Sequence, residues 1–171
     1  MNINLENFDI RRSNPKILGN AGLSEKTERY IVKAQGLIGI DIFSGDKIKI
    51  IDIEGGQICE VIAFDNQGKN NQSIIGEKIN GDAKFTKYIL TNSNDKKLLL
   101  NKLKKKKIDF NKAKSSNFFD QTSLAKETIN IEIENDGFIL FATPGKDMQV
   151  DEQDAPTEIE VVLERKNKKQ N

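Results

Sequence analysis

The chain has 171 residues, 36% of them hydrophobic and 31% charged, with 27 Lys and Arg against 26 Asp and Glu, which is enough for one domain with its own core. The near-zero balance gives no global electrostatic reason to expect a nucleic acid or a membrane surface as partner. There is no histidine and a single cysteine, Cys59, which excludes a Ser-His-Asp triad, a Cys-His pair, an imidazole base and a His/Cys zinc site within one chain.

The lone cysteine rules out an intrachain disulfide and suits a reducing compartment. The opening "MNINLENFDIRRSNPK" has no basic stretch followed by an apolar one, and no apolar run approaches the roughly 20 residues of a membrane span. A cytoplasmic protein is the expectation. No calcium loop, GK[ST] phosphate loop or GxGxxG turn occurs, although carboxylate sites for magnesium or calcium stay open.

In chain order, residues 1–28 read as an irregular N-terminal arm broken by Pro15, Gly19 and Gly22. It is either a surface arm or a segment that packs on a partner. "RYIVKA" (29–34), "LIGIDIF" (37–43), "KIKIIDI" (47–53) and "QICEVIAF" (57–64) alternate or run apolar as strands do. They are joined by "SGD" at 44–46 and "EGG" at 54–56, the latter with two residues able to take the positive φ of a tight hairpin. The expectation is an antiparallel meander of about four strands over 29–64. In "NDKKLLLNKLKKKK", Leu98, Leu99 and Leu103 mark a helical face. The predicted helix lies near 95–107, with Asn94 or Asp95 as N-cap and lysines at a C-terminus where the helix dipole favours them. The Lys-rich end reads as a solvated helix terminus or a docking surface; without interleaved aromatics it is a poor nucleic-acid site.

Strand signals then resume. "FFDQTS" precedes "ETINIEIE" (127–134), whose Ile129, Ile131 and Ile133 share a face, and "NDG" at 135–137 signals a hairpin. "FILFAT" (138–143) is almost wholly apolar, as a central strand would be, and "TEIEVVLER" (157–165) closes the pattern before a disordered tail at 166–171. The fold class predicted is mainly β: an antiparallel β-sandwich or squashed barrel of about seven strands with one clear α-helix, in a single domain over 29–165.

Two stretches carry a family likeness. "GDKIKIIDIEGGQICEVIAFD" joins a Gly-Asp turn, a strand, an Asp-x-Glu-Gly-x-Gln bend and an acidic residue three positions on, before an apolar run ending in Phe. "FATPGKDMQVDEQDAPTEIEVVLER" joins a strand, a Pro-Gly-x-x-Met loop and a closing strand. Their order and spacing resemble the urea carboxylase-associated protein family. Within it the chain is most similar to the non-metal N-terminal module of aminomethyltransferase and trimethylamine-N-oxide demethylase-like proteins, which precedes a tetrahydrofolate-binding domain. Members of the family with a metal site use His and Cys ligands. This chain lacks them, so the resemblance implies no metal and no cofactor in this chain, with tetrahydrofolate held by a partner chain.

The candidate ligand-binding residues are Gln57, Glu60 and Asp65, the polar positions of the matched stretch. Strict alternation puts Glu60 among Ile58, Ile62 and Phe64, where an unpaired carboxylate is costly. Three roles are open for it: a buried pair with Arg29 or a lysine, contact with a ligand ammonium group, or general acid-base work. Cys59 reads as a small core residue, since nothing activates it. Pro144, Gly145 and Met148 shape a loop, and Phe118 and Phe119 are core or interface anchors. No catalytic residue is assigned. The function expected is a small accessory or structural subunit of a tetrahydrofolate-dependent, aminomethyltransferase-like system that demethylates methylated amines. Its partner would be that protein, a metal-bearing relative or a second copy. The alternative is a stand-alone, metal-independent binding module or enzyme for a small amine or amide.

Overall fold

The structure, a computed structural model, describes residues 26–93, 96–144 and 158–166. Eight strands are present: β1 (Thr27–Val32), β2 (Leu37–Ile42), β3 (Lys47–Asp52), β4 (Cys59–Asp65), β5 (Ser116–Phe118), β6 (Glu127–Glu132), β7 (Gly137–Ala142) and β8 (Ile159–Glu164). Between β4 and β5 lie two helices, α1 (Lys84–Asn92) and α2 (Lys97–Lys105). The strands form two antiparallel four-stranded sheets, ordered β1-β8-β3-β6 and β2-β7-β4-β5. The predicted β-sandwich is therefore found, and "FILFAT" is central, with β2 and β4 on its two sides.

The predicted meander is not found. Each of the first four strands lies in the sheet opposite its predecessor. "SGD", "EGG" and "NDG" are thus not hairpin turns but arches that carry the chain across the sandwich. A turn signal encodes a reversal of direction; which strand fills the neighbouring place is decided by the core. Here β8 enters between β1 and β3, and β7 between β2 and β4. The alternation in sequence is preserved, because each strand still turns one row of apolar residues inward.

Sheet one turns Tyr30, Val32, Ile48, Ile50, Ile159, Val161 and Leu163 onto Cys59, Val61, Ala63, Ile139 and Phe141 of sheet two. The far face of sheet two is also covered. Ile62, Phe64, Phe138, Leu140 and Ala142 pack beneath Ile89, Leu90 and Leu103 of the helices. β4 and β7 are consequently buried on both faces, which accounts for their continuous apolar sequence.

Among the described residues there are two α-helices where one was expected. In α2 the inward row is Leu99, Leu100 and Leu103, whereas Leu98 is 80% exposed. The expected caps, Asn94 and Asp95, lie outside the described residues; α2 follows Lys96, whose side chain makes no capping bond. Lys102 and Lys106 tie α2 to the sheet by binding opposite oxygens of Asp41 at 2.8 and 2.6 Å. Their ammonium groups sit 4.8 and 5.2 Å from the Phe138 ring centre. Burial acts to raise the Asp41 carboxyl, but the two lysines outweigh it and hold it below its usual range. Gly39 of β2 permits this close approach: a Cβ there would lie 2.5 Å from Phe138 Cζ and 3.0 Å from Leu99 Cδ1.

Candidate functional site

β4 is the spine of the candidate site, and the approach to it is built by Asp52. This buried carboxylate accepts from Gly55 N at 2.9 Å, Gln57 N at 3.0 Å and Ser123 Oγ at 2.6 Å. The β3–β4 arch is folded around it, with Gly55 at φ +90° and Gly56 at φ +71°. A Cβ on Gly55 would also stand 2.7 Å from the Ser123 carbonyl, so both conformation and space call for glycine. Gln57 is buried at the end of the arch, and its side-chain amide donates to the Ile58 carbonyl at 3.0 Å.

Glu60 is the second residue of β4, lies on the helix-covered face and is 1% exposed. Its partner is neither Arg29 nor a lysine. Arg29 is on the outer face of sheet one, donating to Glu160 at 2.8 Å. Glu60 Oε1 accepts from the backbone N–H and the hydroxyl of Thr86, both at 2.8 Å, and Oε2 accepts from Phe85 N at 3.4 Å. These donors are the second and third residues of α1. The position before the helix is Ala83, in left-handed conformation at φ 54° and without a capping side chain. Glu60 therefore caps α1 from a strand more than twenty residues away. It satisfies donors that every helix start leaves unpaired and sets a negative charge at the positive end of the dipole.

Asp65 ends β4. Its Oδ1 accepts from Gln67 N and Lys69 N, both at 2.9 Å, and so shapes the following turn. With Ser44, Asn66, Gln67, Asn135 and Asp136 it borders an open polar groove of about 450 Å³. The structure does not bring the three candidates together. At about 3.3 Å per residue, Glu60 and Asp65 are roughly 16 Å apart along the strand and on opposite faces. Gln57 belongs to the arch. Gly145 and Met148 lie outside the described residues, and Phe118 is in the core with Phe119 packed against it.

Two features went unread in the sequence. The buried Gln72 works as a surrogate strand. Its Oε1 accepts from Ala63 N at 2.6 Å, and its Nε2 donates to the Val61 carbonyl and Ser116 Oγ, both at 2.9 Å. The second feature is a buried ionic cluster at one end of the sandwich. Arg165 donates to Asp46 Oδ2 at 2.7 Å, to the Asp41 carbonyl at 2.9 Å and to both oxygens of Glu28 at 3.3 Å. The Tyr30 hydroxyl donates to the same Glu28 carboxylate. Burial pushes the Tyr30 phenol well above its ordinary value, and the bond to Glu28 adds to the effect. For Arg165 burial works against the charge, but Glu28 and Asp46 outweigh it and hold the guanidinium above its usual value. A glutamate, an aspartate and an arginine so far apart in sequence carry no local signal that they meet.

Cys59 is fully buried, and burial pushes its thiol far above the ordinary range, which removes it as a nucleophile at neutral pH. Among the described residues no group of three or more Cys, Asp or Glu is arranged to hold a metal ion, and no helix is long and apolar enough to cross a membrane. The helical layer has a marked charge bias that the whole-chain balance hides. Residues 69–114 contain thirteen lysines against Glu77, Asp82, Asp95 and Asp109. Lys97, Lys104, Lys105, Lys107 and Lys112 take part in no ion pair among the described residues, and Tyr88 and Leu98 stand exposed on the two helices.

No family model matches the chain, so the likeness to urea carboxylase-associated proteins gains no support from that comparison. The chain is 30% identical over 141 residues to a trimethylamine-oxide aldolase of Ruegeria pomeroyi, a match that takes in 81% of this chain and 18% of the relative. Over most of its length this protein is a distant homologue of a small part of that enzyme.

Proposed function

We propose that the chain is an accessory module of a methylated-amine demethylation system, associated with a tetrahydrofolate-dependent, aminomethyltransferase-like protein. The observation that carries this reading is the match to trimethylamine-oxide aldolase, which covers 81% of the chain but only 18% of the relative. The residue chemistry agrees. The carboxylates of the candidate site already accept from backbone groups, and the one thiol is buried. On this reading tetrahydrofolate is bound by the partner in the cytoplasm. The lysine-rich helical layer, with Tyr88 and Leu98 as exposed anchors, is the face offered to that partner.

Purification of the tagged chain from its native host tests the proposal. A folate-domain protein is expected to co-elute at stoichiometric level and to be lost at high salt. Elution of the chain alone at low salt would sink the reading.

A further inference from the structure

We infer that the edge strand β6 pairs with β6 of a second copy, joining two copies of sheet one into a continuous eight-stranded sheet. This goes beyond the proposed function and does not depend on it. β6 borders β3 on one side only. Ile133 N donates toward β3, to the Asp46 carbonyl at 2.9 Å. Strand alternation then aims the N–H and C=O groups of Thr128, Asn130 and Glu132 away from the sheet. Among the described residues no backbone group pairs with them, and all three residues are exposed.

Two other flanks are closed by side-chain amides. Gln72 closes the flank of β4, as described. Asn80 closes β5: Asn117 N donates to Asn80 Oδ1 at 2.7 Å, and Asn80 Nδ2 donates to the Asn117 carbonyl at 3.2 Å. Among the described residues β6 has no such cover, and it has no proline and no bulge; an open strand edge is a template for pairing.

The geometry points to the same strand of a second copy as the occupant. A two-fold axis through Asn130 sets Asn130 opposite Asn130, and Thr128 opposite Glu132 on each side. All three outward residues are then used, and no like charges face each other. The obstructions at the two ends also match. At one end Glu134 N is already bonded to the Ile74 carbonyl, which closes the edge there. At the other, Lys126 adopts a left-handed φ of 65° and turns the chain off the strand line. In the two-fold arrangement the departing Lys126 of one copy falls opposite the closed Glu134 of the other, with opposite charges. Ile129, only partly covered at the sandwich edge, gains the partner's Ile131 beside it, so the core runs on across the axis.

Sedimentation velocity of the purified chain over a range of concentrations, with amide exchange measured by NMR, tests this. The expected result is a reversible dimer in which the Thr128, Asn130 and Glu132 amides are protected. Asn130→Pro removes an outward donor from each copy and should raise the dissociation constant roughly tenfold or more. A second pair of variants keeps the test clear of folding effects. At the exposed position 128, Thr128→Glu would face Glu132 of the other copy and weaken the dimer about two- to tenfold, whereas Thr128→Lys would strengthen it by a similar factor. A chain that stays monomeric throughout, with those amides exchanging freely, overturns the inference. A dimer indifferent to charge at position 128 also overturns it.

Discussion

The Glu60 carboxylate and Thr86 are joined by two hydrogen bonds of 2.8 Å, one to the backbone N–H and one to the hydroxyl. A strand residue thereby completes the start of a helix whose own preceding residue, Ala83, cannot. Glu60→Ala should destabilise the fold by about 2–4 kcal/mol, combining loss of a cap with buried donors left unsatisfied. Glu60→Gln keeps one acceptor and should cost about half as much. Urea unfolding measures both, and amide exchange should rise first at Phe85 and Thr86. A variant Glu60→Ala of native stability would mean that the carboxylate serves something other than α1.

Arg165 balances two buried carboxylates. Arg165→Met should cost about 3–5 kcal/mol, because Glu28 and Asp46 would keep their burial and lose their cation. Adding Glu28→Gln and Asp46→Asn should recover part of that loss. Chemical denaturation of the three variants checks the order.

Tyr30 should give the cluster a signature in alkali. Its folded-state pKa is raised above the unfolded value of 10.0. Stability from this group is therefore complete below about pH 10 and falls as pH rises further, since only the unfolded chain releases the proton. In a Tyr88→Phe background Tyr30 is the single tyrosine. Phenolate absorbance should then appear together with unfolding, not before it. A phenolate that titrates near pH 10 in folded protein contradicts the buried bond to Glu28.

Cys59 should resist thiol reagents until the protein unfolds, because its thiol is fully buried and held far from the thiolate form. Labelling by an aromatic disulfide in native buffer should be slower by orders of magnitude than in denaturant. Rapid native labelling would expose β4.

Gly39→Ala should lift α2 from sheet two, since the added Cβ would lie 2.5 Å from Phe138 Cζ. A loss of about 1–3 kcal/mol is expected for such overpacking. The bonds from Lys102 and Lys106 to Asp41 should loosen with it. Thermal unfolding gives the first quantity, and the NMR shifts of Asp41 report the second.

Local periodicity was enough for most of the strands. Ile48 and Ile50 flank Lys49, Ile129, Ile131 and Ile133 alternate with Asn130 and Glu132, and the unbroken apolar stretch of β7 announced a central place. Asp65, before "NQG", could also be read as a turn residue. α1 escaped notice because its cap is supplied by Glu60, and Leu98 misled because one residue along a helix changes the face by about a quarter turn.

The sequence by itself determined which segments extend, which rows of side chains turn inward, and that no imidazole or disulfide chemistry is available. Those properties depend on residue type and on neighbours a few positions away. Only the tertiary structure decided that the first four strands alternate between the sheets, that Glu60 reaches Thr86, that Arg165 gathers Glu28 and Asp46, and that β6 has no second neighbour among the described residues. Each of these joins residues distant in the chain, and the choice of partner is fixed by burying two apolar layers together rather than by any local preference.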